Sequence, residues 1–183
     1  MTQIQGMGHP STVERSRTPY VVVGATGILA PLGALLAGDG ARRIGVARGH
    51  TAIRGDWDVV VRRDTTDPAA IPAILAEAGS AYDLVGYLPA LTPKTWMSLC
   101  ENANHRVLLA PSRYADPATP DAIAPWLAPG GVTVCTLGWV AAASGARWHT
   151  PDQIAAAAQG ALAAAPGSRV LLGRVRPWGQ RPG

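Results

Sequence analysis

The feature that most constrains this chain is an alternation that begins at residue 19. Short runs rich in β-branched residues alternate with longer stretches that read as helices. That order selects a parallel sheet covered by helices on both faces, because parallel neighbours need a crossover between them. The first run, Tyr20-Val21-Val22-Val23, is ended by glycine, and residues 28–37 are apolar nearly all round, as expected of a helix lying on a sheet. Further strands are expected over 43–47, 58–61, 83–87, 106–110, 132–137 and 170–173. Helices are expected over 67–78, 94–103, 120–127 and 151–164, with Asp67 and Thr150 as caps. The fold class implied is a doubly wound, three-layer α/β domain with a mostly parallel sheet of about seven strands.

A chain of 183 residues fits one such domain, expected over 19–183, behind a polar leader over 1–18. Hydrophobic residues make up 48% and charged residues 15%, which excludes a disordered or coiled-coil chain. The leader lacks a continuous apolar core, and no later run is long enough for a membrane span, so no membrane role is expected. The basic side chains are almost all arginine, with Lys94 alone as lysine, and the net charge is +4. The arginines are scattered, without a basic helix or an aromatic RNA-binding signature, so nucleic acid is not the expected partner. Cys100 and Cys135 read as buried free thiols in a reducing cytoplasm, and the four scattered histidines give no metal-ligand spacing.

The turn Gly24-Ala25-Thr26-Gly27 between the first strand and Ile28-Leu29 carries the functional argument. Gly24 can turn sharply out of the strand, Gly27 leaves no side chain between the backbone and a diphosphate, and the helix start presents free N–H groups to the anion. The competing reading is that glycine merely breaks strand from helix. At the end of the second strand, where a carboxylate would bind the ribose hydroxyls of NAD, the chain has Val46-Ala47-Arg48. Arginine cannot accept those bonds but can pair with a 2′-phosphate, which favours NADP(H); the plainer alternative is an exposed loop cation. Arg42 and Arg43 are weaker candidates for the same work.

These residues resemble the short-chain dehydrogenase/reductase superfamily from Tyr20 to about Leu137. Arg63-Asp64-Thr65-Thr66-Asp67 is similar to the family's Asp-Val-Thr-Asp stretch, which implies that Asp64 contacts the adenine ring. Tyr82-Asp83-Leu84-Val85 resembles the family's fourth strand, but Gly86-Tyr87-Leu88-Pro89-Ala90 replaces the Asn-Asn-Ala-Gly that should follow. Ser112 falls about where the family keeps the serine that orients a substrate carbonyl. The Tyr-x-x-x-Lys pair is missing, since none of Tyr20, Tyr82, Tyr87 and Tyr114 has a lysine four residues on. Trp148-His149-Thr150 and Pro177-Trp178 resemble a group of small, truncated members. The resemblance implies a Rossmann domain, reduction of a small carbonyl, imine or enone, and a homodimer or homotetramer.

A reductase needs a proton donor near the substrate oxygen. Tyr114, on the loop after strand five, is the leading candidate, and Tyr87, after strand four, is the second. A strand-end tyrosine is otherwise a packing residue with a satisfied hydroxyl. Trp139 and Trp148 frame the segment after strand six as possible pocket walls, and Arg113 could hold an anionic substrate. The rival readings are a non-redox enzyme (isomerase, dehydratase or cyclase) in the same cleft, and a non-catalytic NADP(H) sensor.

Overall fold

A computed structural model describes residues 17–49, 55–142 and 145–182. Nine strands are found among them: β1 (Tyr20–Val23), β2 (Arg43–Ala47), β3 (Val59–Arg62), β4 (Tyr82–Tyr87), β5 (Ala103–Pro111), β6 (Val132–Leu137), β7 (Trp139–Ala142), β8 (Gly145–Trp148) and β9 (Arg169–Leu172). Seven of them form one sheet in the order β3-β2-β1-β4-β5-β6-β9, every neighbouring pair parallel. The expected doubly wound sheet is therefore present. The chain runs outward from β1 through β2 to β3, then crosses back to β4 on the other side of β1. That reversal opens a crevice at the carboxyl ends of β1 and β4, the usual place for a ligand in an open α/β sheet.

The helices are α1 (Leu32–Leu36), α2 (Ala70–Ala78), α3 (Pro93–Cys100), α4 (Ala124–Leu127) and α5 (Pro151–Ala163). Two cores result. One face of the sheet packs Val21, Ile44, Leu84 and Leu108 against Ile74 of α2, Trp96 and Leu99 of α3 and Trp126 of α4. The other face packs Val22, Val85, Val107 and Leu109 against Leu32 and Leu36 of α1 and the alanine stripe of α5. Ile154, Ala155, Ala158 and Ala161 recur on one side of α5 and are buried, their small side chains letting α5 lie close to α1, β5 and β6. Thr150 caps α5 in a reciprocal box with Gln153. Cys100 and Cys135 are buried and free on opposite faces of the sheet, and burial pushes their thiols up to about 12 and about 11.

Two departures from the sequence reading have physical causes. The first helix does not begin at Ile28: residues 24–31 form successive turns, with Ala30 N–H bonded to Gly27 and Leu32 N–H to Leu29, and regular helix covers only Leu32–Leu36. Pro31 has no N–H to donate, and its ring crowds the carbonyl four residues back, so an α-helical ladder cannot run through it. The second departure is the antiparallel hairpin β7–β8, in which Trp139 lies opposite Trp148. Its strands are four residues each and only Trp139 is buried, so alternation leaves almost no trace. Among the described residues, no helix is long and apolar enough to cross a membrane.

Candidate functional site

Because all seven strands of the main sheet are parallel, their carboxyl ends share one edge, and two adjoining clefts run along it. The first, of about 370 Å³, lies under the glycine turn; Gly24, Gly27, Arg48, Arg63, Thr65 and Tyr87 are on its walls. The second, of about 260 Å³, lies over the ends of β5 and β6, where Ser112, Arg113, Leu137, Trp148 and Arg181 line it. Ile28 and Tyr87 belong to both. The two clefts thus form one groove with a shared wall at the end of β4.

The turn itself fits a diphosphate. Gly24 has φ +94°, in the region that favours glycine, and an added Cβ would come within 3.1 Å of the Tyr87 Cβ. Gly27 is different: a Cβ there would meet nothing nearer than the Gly24 carbonyl oxygen at 3.9 Å, so the space beside it belongs to the cleft. The amides of Gly24 and Ala25 donate to the Val46 carbonyl at 2.9 and 3.1 Å. Those of Thr26, Ile28 and Leu29 have no protein acceptor among the described residues. Backbone donors without a partner are rare in folded chains unless solvent or a ligand takes them, so this stretch is equipped for an anion. The macrodipole expected from a long first helix is not available, since α1 has five residues. The side chains of Ala25 and Leu29 are fully buried in the core beside α1, so neither lines the groove.

The far end of the first cleft is cationic. Arg48, at the end of β2, is exposed and lines it, and Arg63, one residue past β3, does the same. Arg63 was not singled out from sequence; its signal is that adjacent parallel strands end side by side. Arg42 and Arg43 are excluded from this work because they stand at the opposite end of β2. Arg43 binds Asp58 at 2.7 Å and Asp56 at 2.9 Å, and Arg42 binds Glu77 at 2.6 Å. The Arg43 guanidinium in turn holds the Asp58 carboxyl below its ordinary range.

Asp64 lies between two lining residues. Its carboxylate accepts the Thr66 amide at 2.9 Å and the Thr66 hydroxyl at 2.8 Å, and these bonds depress its pKa. The loop carrying it is fastened to the loop after β4: the Thr65 hydroxyl donates to the Ala90 carbonyl, and the Thr95 hydroxyl donates to the Thr65 carbonyl at 2.6 Å. Thr92 caps α3 through the Thr95 amide. Buried, satisfied hydroxyls of this kind rigidify the wall they belong to.

The catalytic candidates separate. Ser112 is buried, starts the turn after β5 and lines the second cleft. Tyr87 is half-buried between the clefts; burial raises its pKa, partly opposed by the positive charge of Arg113. Tyr114 lines neither cleft. It packs on the opposite core and lies under the Arg113 guanidinium, 5.2 Å from the ring centre. The reason is the tight turn Ser112–Ala115, which carries Tyr114 round to the other side. Lys94 is exposed in the first turn of α3 and also lines neither cleft. Of the histidines, His9 and His50 lie outside the described residues, His105 is at the far end of β5, and His149 lines the second cleft.

The doubly wound fold is shared with several solved structures. A structure from Burkholderia multivorans, described as a short-chain dehydrogenase/reductase with bound NADP, superposes with a TM-score of 0.55 at 15% identity, covering 87% of this chain and 97% of that one. The chuY protein of E. coli CFT073 gives 0.57 at 15% identity over 84% of this chain and 94% of that one. A protein from Escherichia coli K-12 described as an oxidoreductase by assignment only gives 0.57 at 11% identity over 91% of this chain and 99% of that one. At these identities the likeness establishes a common fold. No protein-family model matches the chain, and no curated protein matches it in sequence.

Proposed function

We propose that this chain is an NADP(H)-dependent oxidoreductase acting on a small carbonyl, imine or enone. The observation that carries the reading is the first cleft, where a glycine with open space beside it and unpaired turn amides stand at one end and two arginines at the other. In this reading the amides of Thr26 and Ile28 hold the diphosphate, Arg48 and Arg63 pair with the 2′-phosphate, and Asp64 stands beside the adenine. Bound NADPH supplies a hydride. The protein's part is to place the reacting carbonyl oxygen or imine nitrogen in the second cleft and to supply the proton that accompanies the hydride.

Tyr87 is the donor that the geometry favours, because it reaches both clefts and its phenol stays protonated at neutral pH. Ser112, across the same cleft, orients the substrate oxygen. Tyr114 loses its leading place, since it lies on the other face. A second reading, a dinucleotide-binding protein without redox turnover, draws on one observation: no lysine lines either cleft to lower the pKa of Tyr87.

Loss of reduced-nicotinamide absorbance with a panel of aldehydes, ketones, imines and enones separates the two. Consumption of NADPH with one class, reduced by Tyr87→Phe and untouched by Tyr114→Phe, is the expected result. NADPH binding without consumption across the panel replaces the oxidoreductase by the second reading.

A further inference from the structure

Among the described residues, the charged side chains of the second cleft are all positive. Arg113 and Arg181 line it, no acidic side chain does among the described residues, and the remaining walls include Ile28, Leu137, Trp148 and Ile154. Arg181 comes from the C-terminal segment, which packs on the β7–β8 hairpin. Backbone bonds between Trp139 and Arg174, at 2.9 and 2.8 Å, fasten the C-terminal segment to the β7–β8 hairpin. Trp139, fully buried, meets the rings of Trp148 and Trp178 edge-on at 6.5 and 6.1 Å. The Arg181 guanidinium lies 5.5 Å from the ring centre of Trp148 and 5.4 Å from that of Trp178.

A cation–π contact takes no N–H group into a hydrogen bond, and the Arg181 guanidinium has no hydrogen-bond acceptor among the described residues. Neither Arg113 nor Arg181 has a carboxylate partner among the described residues. His149 also lines the cleft: its Nδ1 is 3.3 Å from Gln153 Oε1, and its Nε2 is buried against Gly173 with no hydrogen-bond partner among the described residues. Arg113 and Arg181 are both exposed and border the same cleft, so both guanidinium groups are accessible to an anion there.

We propose that the second cleft selects substrates carrying a carboxylate on a flat apolar body, with Arg113 and Arg181 as the groups that bind the carboxylate. The planar fork of arginine matches a carboxylate, and the cleft volume of about 260 Å³ suits a single ring with a short conjugated arm. This rests on the reading of that cleft as the substrate end of the groove, but it can be tested without the cofactor. Cinnamate and its neutral isostere cinnamamide are titrated into the full chain by calorimetry, alongside NADPH.

Cinnamate is expected to bind at least about tenfold more tightly than cinnamamide, as a charge-assisted pair should. Arg181→Gln and Arg113→Gln should each remove about tenfold of cinnamate affinity and leave cinnamamide and NADPH unchanged. Arg181→Lys should restore part of the loss. Equal affinity for acid and amide, or no binding of cinnamate, overturns the proposal, and this comparison on the unaltered chain needs no variant to fold. Failure of NADPH alone to bind would strike the cofactor reading and leave the carboxylate result standing.

Discussion

Gly27→Ala separates a ligand-binding glycine from one that only ends a strand. The φ of Gly27 lies outside the left-handed region, and the added methyl meets nothing within 3.9 Å. Alanine therefore fits without strain, and the loss of chain freedom in the unfolded state should stabilise the protein by about 0.4–1 kcal/mol. For a chain of 183 residues that is a rise in Tm of roughly 1–4 °C. Binding should move the other way. A methyl in the cleft displaces the diphosphate from turn amides whose charge-assisted bonds are each worth about 1.5–3 kcal/mol. At about 1.4 kcal/mol per tenfold, NADPH affinity should fall by tenfold or more, and further in Gly27→Val. Thermal melts and calorimetric titration of the same preparations read both numbers. Lower stability with unchanged affinity would make Gly27 a structural breaker and refute the diphosphate assignment.

Gly24→Ala should show the opposite balance, losing about 1–3 kcal/mol in urea melts because φ +94° strains any side chain and the new Cβ crowds Tyr87. Arg48→Asp, alone or with Arg63→Asp, should weaken NADPH by about tenfold or more while sparing NADH, as titration with each cofactor would show. The rate of reduction should hold level through neutral pH and fall only beyond the ordinary tyrosine range, about pH 10, because the protonated form of Tyr87 is the donor and burial raises its pKa. A pH–rate profile that falls below that range would remove Tyr87 from the role. Asp58 titrates below its ordinary range, so the stability it shares with Arg43 is present above that range and is lost as pH falls through the folded value. Arg43→Met should abolish this part of the acid dependence in urea melts.

The strands were legible because their signal is local. Arg43–Ala47 and Val132–Leu137 were read to the residue, since both are short apolar runs bounded by turn residues. The glycine turn was legible through its context between strand and apolar segment. What escaped depended on direction or on distant partners. Pro31 signalled a helix start, yet its effect on the ladder behind it shortened α1 to five residues. Tyr114 has a good position in sequence, but a side chain's face is set by the turn it rides on, and Ser112–Ala115 carries it away from the groove. Arg63 and Arg181 reach the groove only through tertiary placement: one strand ends beside another, and a C-terminal segment folds back on the tryptophans of the hairpin.

The most direct test of the account is calorimetric titration of the unaltered chain with NADPH and with NADH. The glycine turn with Arg48 and Arg63 predicts one site per chain for NADPH and at least about tenfold weaker binding of NADH. Binding of neither, or tighter binding of NADH, would contradict it.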